Sequence, residues 1–425
     1  MLAISLSILA LVSTRQADPH LVAKVPADSR VLAGSVRFST NGTKCVYVVS
    51  KGDEWHPVVG DALGAAYDEV SWPSIDPSGS HTAFRVREGS ERKKITYSIL
   101  YDGKVLATDV YIGPIALDPA KGSVAYWIAH GVVNTASGRL EPQAATLVWG
   151  KYKSSKWQFA EAALPPLFTP DGKILVTSAA RGNGDWNVVT VDDKGRDDKH
   201  ASGSIFEAFP RPTGRAVAYT FAHLVGEERW IYQPQQFLVA TASLDQRGDK
   251  AFIALYGEKY ASSGSPVFTD DGLHIAYKVM KSSKMGVAVD DQENAACDFD
   301  FVGEIAPKPD GSEVAFTACN GCKIDHRLGR EVLNDTLSKG GKWLVVHGKH
   351  RYGEYDLARF PAWSKDGKTL AYASKTGGKW YLHVGAKRSE ACDEIACLEW
   401  ADDGKRVAYG CRDGAELWWR TLDAE

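Results

Sequence analysis

This sequence of 425 residues lacks the features that mark membrane-spanning and nucleic-acid-binding proteins. No apolar stretch reaches the roughly 18 residues that a transmembrane helix needs. The charges nearly cancel, with 50 Lys and Arg against 53 Asp and Glu, and they form no evident basic face for a phosphate backbone. We therefore predict neither a membrane span nor a nucleic-acid partner.

Motifs of the common enzyme classes are also absent. The sequence has no G-x-S-x-G nucleophile elbow, no H-E-x-x-H zinc motif, no P-loop and no sialidase-type box. The closest His pair, His347 and His350, falls in a predicted turn, where a solvated turn is favoured over a metal site. We therefore predict no catalytic residue, metal site or cofactor, and a function other than catalysis is favoured.

Residues typical of turns and strands are abundant. The chain has 40 Gly, 18 Pro, 13 Trp and 17 Tyr but only three Met, a balance that favours β structure. Hydrophobic residues make up 44% of the chain, which is enough to build a buried core.

The N-terminal segment resembles a secretory signal. Residues 2–12 form an uninterrupted run of apolar residues and Ser, about the length of a signal-peptide core. We predict a signal peptide over residues 1–17, a mature protein over residues 18–425, and a periplasmic or secreted location. A buried first strand or helix is the alternative.

Seven cysteines in an exported chain suggest disulfides, with at least one thiol left unpaired. Cys319 and Cys322 flank an Asn-Gly turn that would bring them together, so we predict a bridge between them. Free thiols, or a metal or redox role, are the alternatives for this pair. Cys397 and Cys411 lie on the two strands of the last predicted hairpin, and they would face each other only in one register.

One pattern recurs along nearly the whole chain: an apolar residue, a Pro-Asp or Asp-Gly turn, then a strand with an aromatic residue. Examples are FTDDGLHIAY from Phe268, WSKDGKTLAY from Trp363 and WADDGKRVAY from Trp400. Nine copies are present, with turn glycines Gly42, Gly79, Gly122, Gly172, Gly214, Gly272, Gly311, Gly367 and Gly404. A repeat of this length indicates a propeller or another repeat fold.

Each copy predicts two β-hairpins, with strands A and B joined at the glycine turn and strands C and D following. Four strands per repeat indicate a blade of a β-propeller. We predict an all-β fold, a single closed β-propeller with nine blades, or eight if one hairpin is absorbed elsewhere. The last copy has only three strands, so the segment around residues 21–25 is expected to close its blade.

Two residue types recur at fixed places in the repeat. Trp55, Trp186, Trp343 and Trp380 open strand C, where packing between blades is favoured over ligand binding. An Asp stands eleven residues before the turn glycine at Asp68, Asp300, Asp356 and Asp393, where a capping role at the strand end is favoured.

These F-x-x-D-G-K-x-x-A-Y repeats resemble the TolB-type, WD-repeat-like propellers of exported bacterial proteins. The resemblance covers the chain from Phe38 onward. It implies a protein-binding or scaffold role at the cell envelope and brings no catalytic residues with it. Similar propellers precede the hydrolase domain of prolyl-oligopeptidase-like peptidases, and no such domain is expected within this sequence.

Three copies are lengthened between strands B and C, near residues 130–143, 222–249 and 323–341. In a propeller these inserts would rise from one rim, and loops on a rigid scaffold often carry binding. The middle insert contains Arg229, Trp230, Tyr232 and Phe237, a mixture typical of protein-recognition surfaces.

We predict that a monomeric, exported propeller binds a protein, peptide or envelope polymer through these inserts. The first alternative is a lyase or hydrolase with its site at the mouth of the central channel. The second is a scaffold without a defined ligand site.

Overall fold

The computed structural model describes residues 19–89, 95–134, 140–154, 166–181, 185–212, 216–224, 235–243, 253–256, 259–324 and 338–424. Within these ranges the chain forms strands and turns, with no helix. It follows that no helix able to cross a membrane occurs in the described part of the chain.

The strands form antiparallel sheets, which we number in chain order. The N-terminal strand β1 (His20–Lys24) belongs to the last sheet. Sheet 1 contains β2 (Arg30–Val31), β3 (Arg37–Phe38), β4 (Cys45–Lys51), β5 (Glu54–Val59) and β6 (Ala62–Leu63). Sheet 2 contains β7 (Glu69–Ile75), β8 (Thr82–Glu88), β9 (Thr96–Tyr101) and β10 (Lys104–Asp109). Sheet 3 contains β11 (Ile112–Leu117), β12 (Val124–Asn134), β13 (Leu140–Trp149) and β14 (Tyr152–Lys153).

Sheets 4 and 5 are joined because they share the long strand β18. Sheet 4 contains β15 (Leu167–Phe168), β16 (Ile174–Arg181), β17 (Asp185–Asp192) and the first half of β18 (Asp197–Pro210). Sheet 5 contains the second half of β18 with β19 (Ala216–Leu224), β20 (Gln235–Ser243) and β21 (Ile253–Tyr256). Sheet 6 contains β22 (Ser262–Phe268), β23 (Ile275–Lys281), β24 (Lys284–Val289) and β25 (Gln292–Phe299).

The remaining sheets follow the same order of strands. Sheet 7 contains β26 (Phe301–Pro307), β27 (Val314–Asn320), β30 (Lys342–His347) and β31 (His350–Tyr355), with β28 (Lys323–Ile324) and β29 (Ser338–Lys339) as a separate pair. Sheet 8 contains β32 (Leu357–Trp363), β33 (Leu370–Thr376), β34 (Lys379–Val384) and β35 (Lys387–Arg388). Sheet 9 contains β36 (Glu394–Trp400), β37 (Arg406–Asp413), β38 (Glu416–Asp423) and the N-terminal strand β1.

The N-terminal strand pairs with the last strand of the chain, as predicted. In the β1–β38 ladder His20 lies opposite Trp419, and Lys24 lies opposite Glu416. The buried Ala23 joins a core cluster that also contains Leu417. The two ends of the described chain therefore share one sheet.

The strand that precedes each glycine turn is called the inner strand here: β3, β7, β11, β15, β18, β22, β26, β32 and β36. Each inner strand contacts the inner strand of the next sheet, and β36 contacts β3. Antiparallel four-stranded sheets arranged in this way around their inner strands form a β-propeller.

The core lies between neighbouring sheets. The aromatic residue five positions after the turn glycine is buried in each of the eight copies that have one: Tyr47, Phe84, Trp127, Tyr219, Tyr277, Phe316, Tyr372 and Tyr409. Each such ring removes about 150–250 Å² from water, so these residues dominate the packing. Of the strand-C Trp residues, Trp343 and Trp380 are buried, which confirms their packing role. Trp55 is half-buried, and the side chain of Trp186 is outside the described part.

The recurring Asp residues cap the B–C turns, as predicted. Each of these carboxylates accepts a hydrogen bond from the backbone N–H of a B–C turn glycine, at 2.7–2.8 Å. The pairs are Asp68 with Gly89, Asp300 with Gly321, Asp356 with Gly377 and Asp393 with Gly414. In sheets 7 and 9 a Lys of the preceding sheet also holds the Asp at 2.6 Å, as Lys379 holds Asp393. The Lys379 ammonium lowers the pKa of Asp393.

The cysteines are only partly paired as predicted. Cys319 and Cys322 form a disulfide, with their Cα atoms 6.1 Å apart. Cys397 and Cys411 are both free thiols. A bulge in β36 places Cys397 opposite Gly410 and Ile395 opposite Cys411, so the second pair does not form.

The ranges predicted as inserts fall at the second and third strands of sheets 3, 5 and 7, and the range 222–249 includes the third strand β20 of sheet 5. Their described parts are strand rather than loop, because the β12–β13 ladder continues to Asn134 opposite Leu140, and β19–β20 continues to Leu224 opposite Gln235. In sheet 7 the root of the insert is the short β28–β29 pair. The tips of the three inserts lie outside the described residues.

Candidate functional site

The binding surface predicted on the middle insert is only partly described. Arg229, Trp230 and Tyr232 lie outside the described residues. Phe237 lies in β20, opposite Ala222 of β19. Of the four predicted binding residues, the structure thus describes Phe237, which it places in a strand.

A bulge in the inner strand β32 marks a different surface. The register of this strand shifts between Arg359 and Ala362, so Phe360 and Pro361 leave the ladder. Phe360 has φ 56°, a left-handed conformation that costs a residue with a side chain about 1–2 kcal/mol. Strain of this kind concentrates at functional sites, which makes the surroundings of Phe360 a candidate site.

Glu304 of the neighbouring inner strand β26 holds this bulge. Its carboxylate accepts a hydrogen bond from the backbone N–H of Phe360 and lies 3.5 Å from Arg359 Nε. The Arg359 guanidinium lies over the Phe360 ring, 4.8 Å from the ring centroid. Both charged side chains are about one-quarter exposed, so this ion pair still reaches solvent.

Sheets 9 and 2 carry matching Glu–Arg pairs at the ends of their inner strands. Glu394 of β36 lies 3.4 Å from Arg412 Nε, and Glu69 of β7 lies 3.0 Å from Arg87 Nε. Glu69 also lies 3.3 Å from Arg85 Nη2. The carboxylates at these positions therefore already have guanidinium partners.

Arg37 lies in β3, between those two sheets. Its guanidinium donates hydrogen bonds to the backbone carbonyls of Gly34 and Val36, both at 2.8 Å. No ion pair among the described residues includes Arg37. Arg37 is solvent-exposed. Its partial burial and, next, the positive charge of Arg359 lower the pKa of Arg37, whereas the negative charge of Glu394 raises it. The strand β36 lies between β3 and β32 in the ring of inner-strand contacts.

We call Arg37, Glu304, Arg359, Glu394 and Arg412 the Arg37 site. Its carboxylates are paired with guanidinium groups, whereas the hydrogen bonds of the Arg37 guanidinium go to backbone carbonyls. A guanidinium can offer a carboxylate two parallel hydrogen bonds, so the arrangement suits anion binding better than acid–base catalysis. Within the described ranges, no three His, Cys, Asp or Glu side chains converge as a metal site requires.

The repeat itself contains a signal for this site that the sequence analysis missed. Arg37 occupies the position just before the last residue of the inner strand. The residues that share this position in the other sheets are Ser74, Ala116, Leu167, Phe209, Val267, Ala306, Ala362 and Glu399. Charged side chains occur there only in sheets 1 and 9, which are neighbours around the ring of contacts.

The predicted turn at His347 and His350 is formed between β30 and β31. The His347 ring lies 2.8 Å from the Tyr352 hydroxyl and 3.3 Å from Glu313 Oε1. Its partners are therefore a phenol and a single carboxylate, and the ring packs at the edge of sheet 7.

A concave surface lies at the turns of sheets 3 and 4. It is a cavity of about 410 Å³ lined in part by Lys121, Ser123, Trp149 and Asp193. Lys121 pairs with Asp193 at 3.6 Å, and Trp149 Nε1 donates to Ser123 at 3.0 Å. These polar groups are thus already paired with one another. The Arg37 site is therefore the stronger candidate for ligand binding.

Comparison with protein-family models gives no match, and comparison with curated proteins gives none either. A eukaryotic initiation factor is similar in structure over 86% of this chain and 89% of that one, with 10% identity and a TM-score of 0.46. The Dos1 propeller is similar over 96% and 95%, with 8% identity and a TM-score of 0.42. TolB from Acinetobacter baumannii is similar over 82% of each chain, with 11% identity and a TM-score of 0.33. The TolB-type resemblance expected from the sequence is not confirmed.

Proposed function

We propose that this protein is a non-catalytic scaffold that binds a carboxylate-bearing protein or peptide at the Arg37 site. The observation that carries the proposal is the guanidinium of Arg37, which is solvent-exposed and hydrogen-bonded only to backbone carbonyls. An accessible guanidinium can give two parallel hydrogen bonds to one anion, and carboxylate is the planar anion that fits it.

We further propose that the sheets are nine blades of one closed ring. Three observations support this count: the nine copies of the repeat, the pairing of β1 with β38, and the inner-strand contacts that return from β36 to β3. Closure of this kind removes exposed strand edges and gives the inner strands a common central space.

The partner is proposed to extend from the Arg37 site to the inserts on the same rim. Glu394 is the first residue of its inner strand, and Arg412 is the next-to-last residue of the following strand. Both therefore lie on the side from which the connections between second and third strands rise. Arg229, Trp230, Tyr232 and Phe237 remain the candidate contacts on the insert. Replacing Trp230, Tyr232 and Phe237 together by Ala should weaken binding by more than tenfold, since aromatic anchors contribute roughly 2 kcal/mol or more each.

Export of a monomer to the periplasm or the exterior is part of the proposal. The apolar run in residues 2–12 supports it, and so does the Cys319–Cys322 bridge, because disulfides persist in oxidising compartments.

The Arg37 site is tested with a defined probe. A fluorescent Glu-rich peptide and its Gln-rich counterpart of equal length are titrated with wild-type protein, Arg37→Gln and Arg388→Gln. Arg388 lies in the outermost strand β35 and is exposed, so it serves as a matched control. We expect the Glu-rich peptide to bind more tightly, and Arg37→Gln to lose at least about tenfold of that affinity while Arg388→Gln retains it. Equal binding of both peptides, or equal loss in both variants, would overturn the proposal.

A further inference from the structure

The outermost strand of sheet 2, β10, concentrates exposed apolar side chains. Among the described residues eight large apolar side chains are exposed, and three of them are Val105, Leu106 and Val110. The first two lie in β10, and Val110 directly follows its last residue. Val105 is 63% exposed. Apolar side chains that gather on a surface often mark a place where another molecule binds.

The strand β10 is also the edge of its sheet. It is hydrogen-bonded to β9 and stands last in the strand order. Within the described ranges, β9 is the only element against which β10 packs extensively. The outer strands β6, β14 and β35 have two residues each, whereas β10 has six. A long edge strand offers backbone N–H and C=O groups to a strand of another chain.

A bulge at Leu106 determines which side chains of β10 share a face. Lys104, before the bulge, lies opposite Tyr101 of β9, and Asp109, after it, lies opposite Tyr97. Both tyrosines pack against the same core cluster, so they lie on one face of the sheet. Because residues paired across a ladder share a face, Lys104 and Asp109 also lie on one face. Without the bulge, their spacing of five would place them on opposite faces.

This arrangement makes the edge of β10 complementary to itself. If two copies of the strand lie antiparallel about a two-fold axis, Lys104 of each copy faces Asp109 of the other, and Val105 faces Thr108. Each facing pair then lies on one face, as an antiparallel ladder requires, because both strands carry the Leu106 bulge. Within the described ranges neither Lys104 nor Asp109 has an ion-pair partner. Opposite charges that face each other across a ladder stabilise it.

We propose that two copies of this protein pair through β10, as antiparallel strands related by a two-fold axis. A two-fold interface places the same surface of both copies against itself, so it requires such self-complementary charges. Pairing would cover Val105 and Leu106 in both copies. Two strands of six residues form a small interface, at the low end of the size range that begins at about 1,200 Å² for stable complexes. The exported monomer therefore pairs reversibly when it is concentrated. The pairing does not rest on the Arg37 site, which lies on inner strands.

Sedimentation of the full chain over a series of concentrations tests the pairing. We expect the average mass of the wild-type protein to rise with concentration toward twice that of the monomer, and to fall again on dilution. Lys104→Glu and Asp109→Lys should each weaken pairing at least about tenfold, because each change sets two like-charged pairs face to face. Lys387→Glu is the matched control, since Lys387 is exposed on the outermost strand β35, and it should pair like the wild-type protein.

A mixture of the two charge variants identifies the surface. When Lys104→Glu is combined with Asp109→Lys, every facing pair of the heterodimer again has opposite charges. We expect the mixture to associate although neither variant pairs with itself, and thermal unfolding of each variant confirms that it is folded. The proposal is overturned if the mixture does not associate, or if Lys104→Glu pairs like the wild-type protein. A wild-type protein that stays monomeric but binds a labelled peptide of residues 103–110 would also overturn it, and would assign this edge to a strand of another protein.

Discussion

Gly42 lies directly against the indole ring of Trp419. Gly42 is the turn glycine of the first repeat, and Trp419 is fully buried in β38, the strand that pairs with β1. A Cβ atom on Gly42 would overlap the indole ring. The first and last repeats therefore meet at a position that has no room for a side chain.

Replacing Gly42 by Ala tests this contact, with Gly52→Ala as the matched control. The two glycines share a left-handed backbone, with φ 69° and 63°, but a Cβ on Gly52 meets nothing within 4 Å. Gly52→Ala should lower the free energy of unfolding by about 1–2 kcal/mol through backbone strain alone. Gly42→Ala should cost about 1–3 kcal/mol more because of overpacking. Chemical denaturation measures both, and equal losses would contradict the contact.

The pairing of β1 with β38 predicts a second contrast. Ala23 is 2% exposed, whereas Leu21 on the same strand is 37% exposed. Ala23→Asp should lower the free energy of unfolding by about 3 kcal/mol or more, because it buries an unpaired charge. Leu21→Asp should cost only about 0.5 kcal/mol. Thermal unfolding of the two variants decides this, and a tolerated Ala23→Asp would show that β1 contributes little.

The parts of the fold that sequence can predict are those that repeat. Local spacing predicts the glycine turns, the buried aromatic residues such as Tyr47 and the capping Asp residues such as Asp393. It can do so because each repeat forms the same strands and packs them in the same way. Pairing of the first segment with the last sheet followed from a missing strand in the final copy.

The candidate site could not be predicted in the same way. Arg37 and Arg359 are far apart in sequence. The charge of Arg359 acts on Arg37 because the inner strands β3 and β32 both contact β36. The cysteine pairing failed for a different reason. A single bulge between Ile395 and Cys397 decides which residue faces Cys411, and no local sequence signal specifies it.

The capping Asp of sheet 9 should matter more than an exposed ion pair. Asp393 binds the N–H of Gly414 and the ammonium of Lys379, whereas Asp402 pairs only with Lys365, and both of those side chains are about 60% exposed. Asp393→Ala should lower the free energy of unfolding by about 1–3 kcal/mol. Asp402→Ala should cost less than about 0.5 kcal/mol. Urea denaturation compares them, and a reversed order would contradict the capping role.

His383 should make stability depend on pH. Burial, and then the charge of Arg388, lower the pKa of His383 to about 4 from the usual value of 6.5. Between about pH 6.5 and pH 4, His383 is therefore protonated in the unfolded state but neutral in the folded state. Protonation favours the unfolded state, so the free energy of unfolding falls as pH drops from 6.5 toward 4. The loss should be at most about 3 kcal/mol.

Substitution of His383 by Gln checks this effect, since Gln can still hydrogen-bond Ser374, the present partner of the ring at 2.8 Å. The difference in unfolding free energy between pH 7 and pH 4.5 should shrink in His383→Gln. It should persist in His350→Gln, where the substituted side chain is exposed on β31. An unchanged difference in His383→Gln would assign the pH dependence to other groups.

The shared strand β18 has a consequence for how the protein opens. Residues 197–203 of this strand are hydrogen-bonded to β17, and residues 204–210 are hydrogen-bonded to β19, with no turn between the two halves. If the strands of one sheet separate, the half of β18 in that sheet loses its hydrogen bonds, and the other half, which belongs to the neighbouring sheet, loses a fixed end. Sheets 4 and 5 should therefore behave as one cooperative unit in hydrogen exchange, with the amides of β16 and β20 losing protection together.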